Sequence, residues 1–237
     1  MTAAATEDRK PRRRGRRALR TISTVLIVLG TLVLADAIIT LVWQEPLSAI
    51  YAAHRQHVLS HDLDNLERRP IGALERRELA RLRDERRRLE LAARVFGRHV
   101  KMGQAIGRIH IPSIGVAQVM VQGTEESDLA NGPGHYPATP FPGEHGTVGV
   151  AGHRTTYGAP FRHLDSVHRG DIVTLAMPYG TFTYRVERIR IVLSDALWIT
   201  RPEGHDELVL SACHPLYSAT HRIVAFARLE SVLPHLH

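Results

Sequence analysis

The hydrophobic pattern changes character twice along the chain. From Ile22 to Trp43 it is nearly unbroken, ISTVLIVLGTLVLADAIITLVW, with Asp36 the one charged residue. At about 1.5 Å of rise per residue, a helix over this run is long enough to cross a hydrocarbon layer of about 30 Å. Asp36 opposes insertion by about 2.5–3.5 kcal/mol, and the many Leu, Ile and Val residues, at a few tenths each, outweigh it. Between residues 44 and 103 apolar positions recur at helical spacing among Arg and Glu. Leu74, Leu79, Leu82, Leu89, Leu91 and Ala92 carry the period, and Glu75/Leu79/Arg83 and Glu78/Leu82/Arg86 alternate charge with apolar character. This predicts a solvated helical stalk, broken at Pro70 into two pieces. Its heptads are too short and irregular for a coiled-coil seam to be the preferred reading.

From Gly103 onward the period shortens to that of strands. Runs at 105–111 (AIGRIHI), 117–123 (AQVMVQG), 147–153 (TVGVAGH), 171–177 (DIVTLAM), 180–192 (GTFTYRVERIRIV), 206–212 (DELVLSA) and 222–230 (RIVAFARLE) are separated by Gly, Pro, Asn and Asp. Brief helices are expected only around Asp128 and from Phe161 to Ser166. So many short strands in so few residues predict an all-β barrel or sandwich. The chain therefore divides into a basic tail (1–21), an apolar segment (22–43), a helical stalk (44–103) and a β domain (104–237).

Charge sharpens this division. The chain of 237 residues carries a net charge of +7, yet residues 1–20 hold eight basic against two acidic residues and residues 104–237 hold ten against twelve. The basic excess lies outside the β domain, which argues against a nucleic-acid partner. Arginines ahead of the apolar segment keep the N-terminus cytoplasmic, and Trp43 suits the outer interface. A cleaved signal peptide ending near Ala35-Asp36-Ala37 is the rival reading, with Arg16-Arg17 a weak twin-arginine signal. Because apolar character continues through IITLVW, an uncleaved single-pass signal anchor is preferred, and either reading puts the β domain outside the cytoplasm. The stalk arginines are suited to anionic membrane lipid.

A single cysteine, Cys213, excludes an intramolecular disulfide and a multi-thiolate metal site within one chain. The fifteen histidines form no HExxH or similarly compact ligand pattern, so neither a metal nor another cofactor is expected. Two strand ends break the alternation alike: TVGVAGHRTTYGAPF presents His153 and Arg154 after small residues, and DELVLSACHP presents Cys213 and His214. A strand end gives a side chain a rigid base. Arg222 opens the next strand nine residues after Cys213, so a hairpin-like return can bring it beside the thiol. Acyl transfer by a thiol needs a proton carrier, which imidazole supplies, and donors for an oxyanion, which a guanidinium supplies. His153, Cys213 and Arg222 fit these roles. Arg154, a rival for the oxyanion, should point the other way by strand alternation.

With AGHRTTYGAPF followed some sixty residues later by LVLSACHPLYSATHR, residues 104–232 resemble the sortases, and GPGHYP, AGHRTTYGAPF and CHPLYS look like the class E sortases of actinobacteria. The resemblance implies an eight-stranded barrel and a cysteine transpeptidase that cleaves a C-terminal sorting signal between Thr and Gly. Cys213 would be the nucleophile, His153 the proton carrier and Arg222 the oxyanion donor. Class E implies a Leu-Ala-any-Thr-Gly signal over the Leu-Pro form. Partners would be surface proteins bearing that signal and an amine of a cell-wall precursor or a pilin. Where the family usually has a Thr before the nucleophile this chain has Ala212, which bears on motif preference; Ser211, facing the other way on a strand, is a poor substitute. Tyr157 and Tyr217 are candidates to line a peptide groove, with cover of the core rim the alternative, and His214 is either a groove residue or a solvated one. A hydrolytic cysteine peptidase and a silent binding module with a buried Cys213 are the competing functions.

Overall fold

The computed structural model describes residues 12–42, 46–68 and 72–235. Pro70 and Trp43 lie outside them. Two compact units separate after Gln44. The first contains α1 (Arg12–Val42), within which Ala18–Ile39 has a mean hydropathy of 2.4 and no residue buried against protein. By length and composition it can cross a membrane.

The second unit is a closed barrel of eight strands in the order β1-β2-β3-β4-β7-β8-β6-β5. These are β1 (Ala105–Ile111), β2 (Val116–Gln122), β3 (Gly134–His135), β4 (Thr147–Ala151), β5 (Ile172–Met177), β6 (Gly180–Leu193), β7 (Glu207–His214) and β8 (His221–Pro234). Pairing is antiparallel except between β2 and β3 and between β4 and β7, which run parallel. The expected strands are all present. The eighth is β3, two residues long, inside a Gly- and Pro-rich segment that reads as loop.

Ile109, Leu175, Phe182, Leu208, Leu210, Ala225 and Ala227 meet inside the barrel with almost no exposure. β4 and β7 are buried on both faces, which is why they read as continuous apolar runs rather than alternating ones. The outer face of β7 and β8 is covered by the connection after β6, where Ile199 packs on Val209, Val224 and Phe226. Over β4 lies Tyr136: a Cβ on Gly149 would come within 2.5 Å of its ring, so glycine admits the ring.

Within 44–103, the described residues do not form the expected solvated stalk. They make three helices, α2 (Pro46–Glu67), α3 (Ala73–Arg81) and α4 (Glu85–His99), that pack on the barrel. Leu89 and Ala93 of α4 belong to the main core, while Leu59 and Leu63 of α2 pack on Ala105, Val119 and Val121. Polar contacts fix α2 as well. Because β3 is so short, the edge of β2 is open at Val119, and the Gln56 side chain pairs with both the N–H (2.7 Å) and the carbonyl (3.0 Å) of that residue. A buried strand edge is thus satisfied by an amide from a helix.

Candidate active site

The strand register places two of the expected residues together. β7 and β8 are antiparallel with Cys213 directly opposite Arg222 and His214 opposite His221. Directly opposed residues project to one face, with Cβ atoms about 4.5–5.5 Å apart. The even positions Leu208, Leu210 and Ala212 face the barrel interior, and Val209 packs outside. Cys213 and Arg222 therefore share the outer face, at the rim. Ser211 is on that face too, its Oγ 2.8 Å from the Tyr136 hydroxyl.

The neighbouring parallel strand supplies the histidine. Ala151 of β4 pairs with Ser211 of β7, and the Gly152 N–H donates to the Ser211 carbonyl at 3.1 Å. Continuing this register by two residues past the last pair brings His153 level with Cys213. The loop after His153 closes on itself, since the Phe161 N–H donates to the His153 carbonyl at 3.0 Å. Phe161 is fully buried, and a Cβ on Gly152 would lie 2.7 Å from its ring. Gly152 thus makes room for the anchor of its own loop. The His153 ring lies 5.3 Å from that of Tyr157, and its Nε2 is buried without a hydrogen bond among the described residues. Burial lowers the His153 pKa below its ordinary value, and the charge of Glu126, in the short helix α5 (Glu126–Leu129), acts in the opposite sense.

Burial and hydrogen bonding separate the two arginines. Arg154 is 2% exposed, and all five of its donors are used inside the protein. Nε and Nη2 donate to the Arg162 carbonyl at 3.2 and 3.0 Å, and Nη2 also meets Asp165 at 2.6 Å. Nη1 donates to the Cys213 carbonyl at 3.3 Å and to Nδ1 of His214 at 3.2 Å, which puts the His214 proton on Nε2. Arg222 holds only the loop carbonyls of Ala219 (3.0 Å) and His221 (3.1 Å), both through Nη1. Its Nε and Nη2 hydrogen bond to nothing among the described residues. Arg154 therefore has no donor left for a substrate, whereas Arg222 does.

The remaining candidates divide. Tyr157 and the half-exposed Tyr217 stand in the two loops flanking the site, both with left-handed backbone (φ 52° and 65°). His214 is half-buried and tied to Arg154. Ala212, a candidate substrate contact, turns into the core at 3% exposure. A hydroxyl there would enter the barrel interior, so its absence alters packing beneath Cys213 rather than the surface around it. Tyr136 was not legible as a site neighbour; a glycine in mid-strand at 149 was the available signal of its close approach. No cluster of His, Cys, Asp or Glu suited to a metal occurs among the described residues.

This arrangement can be set against known proteins. The sortase domain family matches residues 109–230, just over half of the chain. The chain belongs to the sortase family. It is 38% identical over 114 residues to Sortase D of Bacillus subtilis, covering 48% of this chain and 56% of that one. The structure of sortase E from Streptomyces avermitilis is 30% identical and covers 56% of this chain and 93% of its own, with a TM-score of 0.52. A sortase D5 transpeptidase from Clostridium perfringens shares the fold (TM-score 0.59, 20% identity, 75% of this chain and 99% of that one). This sortase spans about half the length of the curated relatives it matches.

Proposed function

We propose that the chain is a membrane-anchored cysteine transpeptidase that cleaves a Leu-Ala-any-Thr-Gly-type sorting signal between Thr and Gly and joins the acyl fragment to an amine. The observation that carries this reading is the opposed pair Cys213 and Arg222, with His153 one strand away at the same level. Burial keeps His153 neutral at rest, so it takes the thiol proton as Sγ attacks the Thr carbonyl carbon. The free donors of Arg222 receive the oxyanion. As the C–N bond breaks, His153 passes the proton to the departing glycine amine and a thioester remains. An incoming amine then attacks the thioester, and His153 accepts its proton and passes it to the departing Cys213 sulfur, restoring the resting thiol and neutral imidazole. The acceptor is an amino group of a cell-wall precursor or of a pilin, and the donors are surface proteins that carry the signal.

The apolar helix α1 is read as an uncleaved anchor, with the basic tail in the cytoplasm and the barrel outside. Likeness to sortase E supports the Leu-Ala form of the signal.

The test is to incubate the full chain in detergent with a fluorogenic Leu-Ala-any-Thr-Gly peptide and an amine acceptor. Amine-dependent ligated product is expected from the wild type. Cys213→Ala should abolish it, and His153→Ala and Arg222→Ala should each lower kcat by about 10²–10³. Cleavage without ligation at saturating amine would instead identify a hydrolytic peptidase. No turnover of either the Leu-Ala or the Leu-Pro peptide, with Cys213 inert to thiol reagents, would identify a binding module.

A further inference from the structure

The loop that carries His153 is held from outside the barrel. At its tip, Tyr157, Gly158 and Ala159 have consecutive left-handed backbone conformations (φ 52°, 73° and 42°). Such geometry at two non-glycine residues persists only where the surroundings fix it. Those surroundings are the first turns of α2. The Tyr157 N–H donates to Ser48 Oγ at 3.1 Å, and the Tyr51 ring meets the Tyr157 ring edge-on at 6.2 Å. Ala52 is 5% exposed, and a Cβ at Gly158 would meet it at an ordinary contact distance of 3.4 Å, so helix and loop adjoin there. The contacts continue inward, because the same Tyr157 ring lies 5.3 Å from that of His153.

One turn further along, α2 is braced independently of the loop. Arg55 donates to Asn131 Oδ1 at 2.7 Å, and Gln56 donates to the Asn131 carbonyl at 2.7 Å while also capping the edge of β2. The helix is therefore a fixed strut, and the loop is what leans on it.

We propose that Ser48 and Tyr51 of α2 are positioning residues of the active site: they hold Tyr157 against His153, fixing the imidazole and keeping it from water. This rests on the acid–base role given to His153 above. Sequence gave no indication of it, since Tyr51 lies more than a hundred residues from His153 in a helix that reads as stalk. The lowered pKa of His153 agrees with the shielding. Other titratable or charged groups around it are Glu126 of α5, Cys213 of β7, Arg222 of β8 and Tyr157 in its own loop. Arg154 is turned away onto Asp165, and Arg55 of α2 onto Asn131.

The experiment compares Tyr51→Ala, Tyr51→Phe and Ser48→Ala with wild type in the full chain, in detergent. Steady-state kinetics with peptide and amine are measured beside an NMR titration of the His153 imidazole. For Tyr51→Ala, kcat should fall about tenfold or more while KM stays within about twofold, as expected when a catalytic group is misplaced rather than binding lost. Its imidazole should titrate at higher pH than in wild type. Tyr51→Phe keeps the ring and should restore both. Ser48→Ala, the milder change should Tyr51→Ala fail to fold, should move kcat and the titration in the same direction. Unchanged kcat with an unchanged titration, or equal damage from Ala and Phe at position 51, would overturn the proposal. If the wild type transfers no acyl group, the functional reading fails, and the titration still decides whether α2 shields His153.

Discussion

Arg154 illustrates how a buried arginine can tie a loop to a strand with every donor engaged. Its guanidinium joins the Arg162 carbonyl, Asp165, the Cys213 carbonyl and His214, and so ties the loop after His153 to the strand that carries Cys213. Lysine has the charge but not the planar fork, and it cannot reach four acceptors lying in different directions. Arg154→Lys is therefore expected to lose about 1–3 kcal/mol of stability, from hydrogen bonds lost around a charge that sits at a 2% exposed position. A denaturant titration checks this, and a variant as stable as wild type would refute the clamp. Strand alternation predicted an Arg154 turned away from His153, but both residues lie past the end of β4, and the guanidinium is placed by its partners instead. The use of every donor could not be anticipated, because its partners come from positions 162, 165, 213 and 214, which only the folded loop assembles. For Cys213, His153 and Arg222 the reverse holds: the first two follow small residues where a strand gives out and Arg222 opens the next strand, and those local signals survive in the sequence.

The helices before the barrel are where reading and structure part. In α4 the charges dominate, and in α2 the apolar positions are interleaved with His, Gln and Asp, so both look solvated; yet a few apolar positions decide the packing, Leu59 and Leu63 four apart in α2 and Leu89 and Ala93 four apart in α4. A chain beginning at residue 104 would contain every expected strand but lose all four, and with them Gln56 from the β2 edge. Each deleted buried leucine is worth about 2–5 kcal/mol, so three of them rival the whole stability of an ordinary domain at about 5–15 kcal/mol. Such a fragment should fail to show the cooperative thermal unfolding expected of one beginning at residue 45. Circular dichroism melts of the two distinguish the outcomes, and equal midpoints would show the helices to be dispensable. Two-residue β3 was hidden for a different reason, since pairing across Gly134 and His135 leaves no periodicity to detect.

At the scale of the whole molecule, a titratable group buried in the wall of the barrel sets an acid limit on stability. His135 is 1% exposed and stacked on Phe141 at 4.4 Å. Its Nε2 faces the Pro140 carbonyl at 3.0 Å, and Nδ1 is paired with the Gln122 side-chain amide at 2.9 Å. Burial lowers its pKa to about 4, with the Pro140 bond acting weakly in the opposite sense. The unfolded chain takes up this proton near pH 6.5 and the folded one only near 4, so stability falls as pH drops through that window. The loss is on the order of 3 kcal/mol and is complete below the folded value. Unfolding free energies at pH 7 and 4.5 should differ less in His135→Gln than in wild type; an identical slope would exclude His135 as the source. Strand number and spacing predicted an all-β barrel or sandwich, and the eight-stranded barrel that forms is the one the family resemblance implied. The parallel contact of β4 with β7 was not, because it joins segments nearly sixty residues apart with no local trace.

That Cys213 and Arg222 are facing rungs of one ladder separates two things an enzyme must evolve. Their distance is set by the spacing of adjacent strands, not by residues 215–220 that link them. The connecting segment can change length and composition while Cys213 and Arg222 stay where they are. A slip of one residue within β8 would turn Arg222 toward the barrel interior. Selection can therefore act on recognition in the linker at small risk, whereas the strand tolerates substitution but not insertion.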